Sequence, residues 1–200
     1  MTPWIYAVLL GLGLAASCGL NTFLPLLMLA GAAHFHLFGV HLNGHFAWLA
    51  SDTSLLALAV GAVVEVIGDK VPAVDHALDV FGTVARPVAG TLAAASVFKG
   101  ADPGTAALLG LIIGAPTALS FHAAKAGTRA TSTATTLGIA NPVLSTLEDI
   151  AAIGLTLISF LQPLLVPVIL LIAFVIMWRL YKKVRQHLPG KRGSLKISTT

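Results

Sequence analysis

Glu65, Glu148 and Asp149 stand inside long apolar runs, and acidic side chains in that setting are where chemistry is first to be sought. A carboxylate facing hydrocarbon costs about a few kcal/mol, so each should turn inward and find a partner. The groups on hand at the same level are Asp69, Lys70, Arg86, His122, Lys125 and Arg129. Such a set supports two readings. One is an ion-coupled or proton-coupled site, in which a buried carboxylate changes charge as a solute binds. The other is a set of salt bridges that pins helix ends together, with surplus Lys and Arg snorkelling to the interface. Glu148 and Asp149 lie about 100° apart on a helix, so they should point to different neighbours among Lys70, Arg86, Lys125 and Arg129. Asn21 joins the candidates because Pro25 frees the carbonyl four residues back. The result is either a kink packed through small residues or an Asn side chain facing a polar cavity.

Other chemistries have less to stand on. His34, His36, His41 and His45 crowd one short stretch, and imidazole ligates zinc, copper or nickel. No Cys and no carboxylate nearer than Asp52 accompanies them, so they read as a metal site or as a partly protonatable interfacial loop. There is no Gly-x-Ser-x-Gly elbow, no His-Glu-x-x-His and no phosphate-cradling Gly-rich loop. The sole cysteine, Cys18, lies in the first apolar run, which excludes an intrachain disulfide. One catalytic reading survives, an intramembrane enzyme that holds a lipid phosphate with Arg86, Lys125 and Arg129 and uses His122 as acid or base. No cofactor is implied, and nucleic-acid binding has no support beyond a basic tail that suits a cytoplasmic end equally well.

These groups are positioned by apolar helices. With 56% hydrophobic and 10% charged residues, against about 25% charged in globular proteins, the chain cannot clothe a soluble surface. The reading is an all-α, polytopic transmembrane bundle of about six spans. The first, Trp4 to Ala33, is too long for a signal h-region and is retained, with a kink near Asn21. After the His-rich turn comes a span from Thr53 to Lys70, then an amphipathic segment from 71 to 85 lying on the membrane surface, where Asp75 and Asp79 share one helical face. Arg86 opens a short apolar run to Phe98, and the next span runs from Thr105 to Phe121. A small, hydroxyl-rich loop is expected between Lys125 and Asn141, followed by spans from Pro142 to Leu161 and Leu164 to Leu180. Trp178 and Tyr181 suit the interface. Residues 1–181 form one transmembrane domain and 182–200 a basic cytoplasmic tail suited to anionic headgroups.

An internal duplication runs through this plan. Ala85, Pro87, Val88, Thr91 and Leu92 recur as Ala140, Pro142, Val143, Thr146 and Leu147, and Lys70 recurs as Lys125, all at a shift of 55 residues. The repeat units are about 55–98 and 110–153. With both termini cytoplasmic, every Lys and Arg except Lys99 falls inside, 11 of the 12. Were 86–98 and 141–153 re-entrant instead, Lys125 and Arg129 would move outside and the bias would be only slightly weaker.

The motifs SCGLNTFLP at 17–25, GDKVPAVD after Glu65, RPVAG at 86–90, HAAKAGTR at 122–129 and the trio Ser145, Glu148 and Asp149 resemble those of small bacterial integral-membrane proteins grouped as domain of unknown function 4126. The resemblance covers nearly the whole chain before the tail. It implies a multi-span protein of the bacterial inner (plasma) membrane and no particular activity. From the residues, the expected function is a small transporter or channel-like protein with a charged site near the cytoplasmic ends of spans two to five, its partners membrane lipids and a small solute or ion. The alternative is a lipid-binding or scaffold protein with purely structural salt bridges. Oligomeric state and substrate are left open by the residues.

Overall fold

Caps and prolines mark where helices start in this chain, and one such pair decides the fold. The computed structural model describes residues 3–187 and is all-α, with no strand among those residues. Helices α1 (Pro3–Leu20) and α2 (Phe23–His34) are separate, where a single kinked span was expected. The Asn21 amide makes the last bond of α1, donating to the Ser17 carbonyl at 3.0 Å. Its side-chain Oδ1 then accepts from the Phe23 and Leu24 amides at 3.2 and 3.0 Å, which caps α2. Pro25 therefore falls in the first turn of a new helix, where no backbone donor is needed, and starts a helix instead of bending one.

The direction of α2 corrects the topology. Just past its end Phe38 stacks on Phe160 at 5.9 Å, and Gly39, Val40 and His41 share a cavity of about 320 Å³ with Pro3, Trp4, Tyr6 and Lys99. Thus α1 and α2 form a hairpin whose tip is buried, and the start of α1 lies at the Lys99 end of the molecule. The expected single crossing, with the N-terminus at the end opposite Lys99, is not what the helices do.

A 3-10 turn (Gly44–Ala50) leads to α3 (Asp52–Gly68), capped by the Ser51 hydroxyl, which accepts from the Ser54 amide at 3.2 Å. Helix α4 (Pro72–Ser96) is continuous through Pro87. The separate surface helix expected over 71–85 is thus its first half. Asp75, expected at the membrane surface, is buried, because its face of the helix is turned onto Arg129. Helix α5 (Pro103–Thr136) also outruns expectation, since the hydroxyl-rich stretch after Lys125 is helical and not a loop. The hydroxyls of Thr131, Thr135 and Thr136 donate to the carbonyls one turn back, Gly127, Thr131 and Ser132, at 2.9, 2.9 and 2.8 Å. These residues satisfy their hydroxyls on their own helix and leave it intact. Leu137, left-handed at φ 54°, and Gly138 at φ 85° end it. Helix α6 (Asn141–Leu161) returns.

Small residues let these helices meet backbone to backbone. A Cβ added at Gly114 would sit 2.3 Å from the Gly90 carbonyl oxygen of α4, one at Gly110 2.5 Å from that of Thr91, and one at Gly19 of α1 2.4 Å from that of Ala118. Leu10, Leu14, Leu26, Leu29, Val97 and Phe160 fill the core toward the Lys99 end.

Among the described residues three helices are long and apolar enough to cross a membrane, α1, α5 and α6, or four if the 3-10 turn and α3, bent by 60°, count as one span. Helix α7 (Val166–His187) belongs from Val168 onward to a separate unit, in which Phe174 and Trp178 stack at 6.2 Å and are exposed. The basic tail from 188 onward, with most of its expected headgroup contacts, lies outside the described residues.

The seams give a graded prediction. Gly114→Val should destabilise the protein by about 1–3 kcal/mol, because rigid backbone must move. Gly154→Ala, where an added Cβ meets nothing within 4 Å, should be neutral or slightly stabilising. Thermal unfolding in detergent measures both, and equal effects would refute the close seam.

Candidate functional site

The buried tip of the α1–α2 hairpin leaves carbonyls at the end of α1 and amides at the start of α2 with no helical partner. Each set is met by a charge of the appropriate sign. Lys125, from α5, donates to the Leu20 carbonyl at 3.2 Å, and its ammonium carries the sign that the C-terminal end of a helix favours. Glu65, from α3, accepts from the Thr22 amide at 2.8 Å, the Phe23 amide at 3.1 Å and the Thr22 hydroxyl at 3.0 Å. Its carboxylate lies at the amide end of α2, again the favoured sign.

Around this tip the described ion pairs form three groups, linked through Asn21 and the backbone of the hairpin tip. The Lys125 ammonium, fully buried, lies 2.9 Å from Asp69 and 3.3 Å from Glu148. Arg129, one turn further along α5, contacts the same two carboxylates at 3.3 and 2.8 Å and also pairs with Asp75 of α4. Asp149 accepts from the Asn21 side-chain amide at 3.0 Å and faces Lys70 at 3.3 Å, while Lys70 also donates to Ser145 at 3.1 Å. Glu148 and Asp149 thus point to different partners, as their helical spacing requires. Among the described side chains these groups pair the carboxylates of Glu65, Asp69, Asp75, Asp79, Glu148 and Asp149 with the cations Lys70, Arg86, Lys125 and Arg129.

Arg86 holds the second side of the site. It is fully buried on α4, with Nη2 3.5 Å from Glu65 and 3.7 Å from Asp79. Its Nη1 donates to His122 Nδ1. A guanidinium only donates, so His122 Nδ1 carries no proton, and Nε2–H donates to the Thr83 hydroxyl at 3.2 Å. Thr83 in turn donates to the Asp79 carbonyl at 3.2 Å. His122 is thereby fixed in one neutral tautomer with both ring nitrogens engaged. Arg86 Nε and Asp69 Oδ1 are buried without a hydrogen-bond partner.

Every charged or polar residue expected near the site is in it: Asn21, Glu65, Asp69, Lys70, Arg86, His122, Lys125, Arg129, Glu148 and Asp149. Three participants were not expected. Asp75 and Asp79 were assigned to an exposed surface, although their spacing of one helical turn is as consistent with a face turned to Arg129 and Arg86. Thr22, whose backbone matters most, carries no signal until the helix is known to break there. The histidines part company. His34 bonds the Ala50 carbonyl at 2.8 Å and lies 3.7 Å from Asp52, His41 lines the cavity beside Lys99, and the described residues contain no group of three or more His, Cys, Asp or Glu able to hold a metal. Arg86 and Arg129 are buried among carboxylates.

Burial grades what each cation is worth. Removing one partner of a buried network leaves uncompensated charge, at a cost of about 3–5 kcal/mol, whereas a half-exposed pair contributes about 0–1 kcal/mol. Arg129→Met should therefore destabilise far more than Lys70→Met, whose side chain is 35% exposed, in a detergent melting series. Adding Asp75→Asn to Arg129→Met should recover part of the loss, and no recovery would mean that the pair is not coupled.

No curated protein and no solved structure matches this chain. The order of its motifs and the buried network they build span most of residues 8–183, which match the family model described as a domain of unknown function (DUF4126), and the chain belongs to that family.

Proposed function

We propose that the protein is a small transporter or channel-like membrane protein whose polar site is the tip of the α1–α2 hairpin. The observation that carries this reading is a helix broken inside the apolar body, with its two free ends met by buried charges of opposite sign, Lys125 on Leu20 and Glu65 on Thr22 and Phe23. Interrupted helices that present bare ends and side-chain charges near mid-membrane are how transporters commonly bind solutes and coupling ions. A purely structural network would be better served by continuous helices, which expose no backbone ends to be neutralised. The duplication belongs to the same reading: α3 and α5 both run toward the charged cluster and α4 and α6 both leave it, with Lys70 and Lys125 at corresponding positions.

Charge bias supports an orientation. Lys70, Arg86, Lys125 and Arg129 lie at the hairpin-tip end and Lys99 at the other, so the tip end faces the cytoplasm of a bacterial inner membrane and the start of α1 faces out. Cys18 is fully buried, so it gives no labelling background. In spheroplasts an impermeant maleimide should label Lys99→Cys and spare Thr133→Cys until the membrane is opened. The reverse pattern overturns the orientation.

Transport is tested in reconstituted vesicles with a panel of acetate, chloride, potassium and proton fluxes. Glu148→Gln and Asp149→Asn, at the rim of the network, should each lower the flux that the wild type supports by about tenfold, equivalent to about 1.4 kcal/mol, while the folded fraction stays near wild type. If the wild type carries none of the panel, or both variants retain full flux, the transport reading fails. If both merely fail to fold, the salt bridges are structural.

A further inference from the structure

The seat of the Glu65 carboxylate is more than a helix cap requires. Helix α2 already has a cap, since Asn21 Oδ1 accepts from Phe23 and Leu24, and the Phe23 amide is shared between Asn21 and Glu65. Nor does Arg86 depend on Glu65 alone, because Asp79 stands 3.7 Å from the same Nη2. What Glu65 occupies is a receptor shaped for a carboxylate. Oε1 takes the Thr22 amide and hydroxyl, both at 3.0 Å, with Arg86 Nη2 at 3.5 Å, and Oε2 takes the Thr22 and Phe23 amides at 2.8 and 3.1 Å. The donors come from the start of α2 and from α4, while the occupant hangs from α3. Arg86, fully buried, keeps Nε without a partner and holds Glu65 only at the long limit of a hydrogen bond, so the guanidinium has donor capacity that the protein itself leaves unused.

We propose that this seat is a binding site for a small monocarboxylate, and that Glu65 is its tethered occupant, displaced one for one when the external carboxylate enters. The proposal deepens the transport reading and rests on it for its purpose, but the binding it asserts is measurable without transport. The helix end and Arg86 supply charge-assisted donors to either occupant. A tethered competitor lowers apparent affinity by the fraction of time the seat is open. Thr22, Phe23 and Arg86 bind the anion. Asn21 holds the end of α2 in place, and His122, through Nδ1, positions the guanidinium.

The test uses the full chain purified in detergent, titrated with sodium formate, acetate or chloride against gluconate at constant ionic strength. Binding is read by isothermal calorimetry and by the shift in thermal unfolding. Formate or acetate should bind the wild type weakly and Glu65→Gln at least about tenfold more tightly, because the neutral side chain no longer competes as an anion. The gain should vanish in Glu65→Gln with Arg86→Gln. Chloride separates shape from charge: tighter binding of chloride than of formate would overturn the carboxylate assignment. If Glu65→Gln is unstable, formate should restore its folded fraction by size exclusion, and instability that no anion relieves counts against the site, as does a folded Glu65→Gln that binds none of the three. Anion binding without flux in vesicles would sink the transport reading and keep this one, and flux without anion binding would do the opposite.

Discussion

A helix that stops inside an apolar body must have its bare ends met there, and the rest of this structure follows from how that is done at Leu20–Phe23. No bulk water reaches the position to hydrogen-bond the freed groups, and each left unmet would cost several kcal/mol. Glu65 and Lys125 meet them, but each is itself a charge that cannot be buried alone. Glu65 therefore brings Arg86, which brings His122 and Asp79. Lys125 brings Asp69 and Glu148, and these bring Arg129 and through it Asp75. One backbone break thus recruits side chains from α3, α4, α5 and α6, and those four helices are fixed around the tip by electrostatics before packing is considered.

Packing then makes the convergence possible. Charged groups from several helices reach one another only if the helix axes lie close, and the glycine seams of α4 with α5 and of α1 with α5 provide that approach. The two requirements divide the molecule by level. Leucine, valine and phenylalanine side chains fill the half toward Lys99, and the charged groups fill the half at the hairpin tip.

How much of this was legible in the sequence depends on whether a residue's environment is set locally. That Glu65, Glu148 and Asp149 turn inward could be read directly, because the penalty for facing lipid holds whatever the fold. Their partners could be narrowed to a few cations by chain position alone. The hairpin could not be read, since thirty apolar residues interrupted by Asn21 and Pro25 look the same whether the chain kinks and continues or caps and reverses, and contacts with Phe160 and Lys99, more than fifty residues away, decide between them. The stretch from Lys125 to Thr136 misled for a different reason. Thr and Ser often favour turns, but inside a helix their hydroxyls can also bond the carbonyl one turn back, as those of Thr131, Thr135 and Thr136 do. Asp75 and Asp79 misled because an acidic face with apolar neighbours is equally the mark of a surface helix and of a helix turned toward buried arginines.

Lys70 and Lys125, which lie 55 residues apart in the sequence, do unequal work at the site. Lys70 lies in the turn just past α3, 35% exposed, and bonds Asp149 and Ser145, whereas Lys125 lies within a long helix, its side chain fully buried, and reaches a backbone carbonyl as well as two carboxylates. The difference lies in what each faces. Lys70 faces α6, a continuous helix whose backbone is already satisfied, and so has only side chains to bind. Lys125 faces the C-terminal end of α1, which exists only because the chain breaks at Asn21. The position of the hairpin beside Lys125 is therefore what sets the two lysines apart. That placement concentrates the unsatisfied groups on one side of the network, beside Glu65 and Arg86, and leaves the Lys70 side as a conventional ion pair.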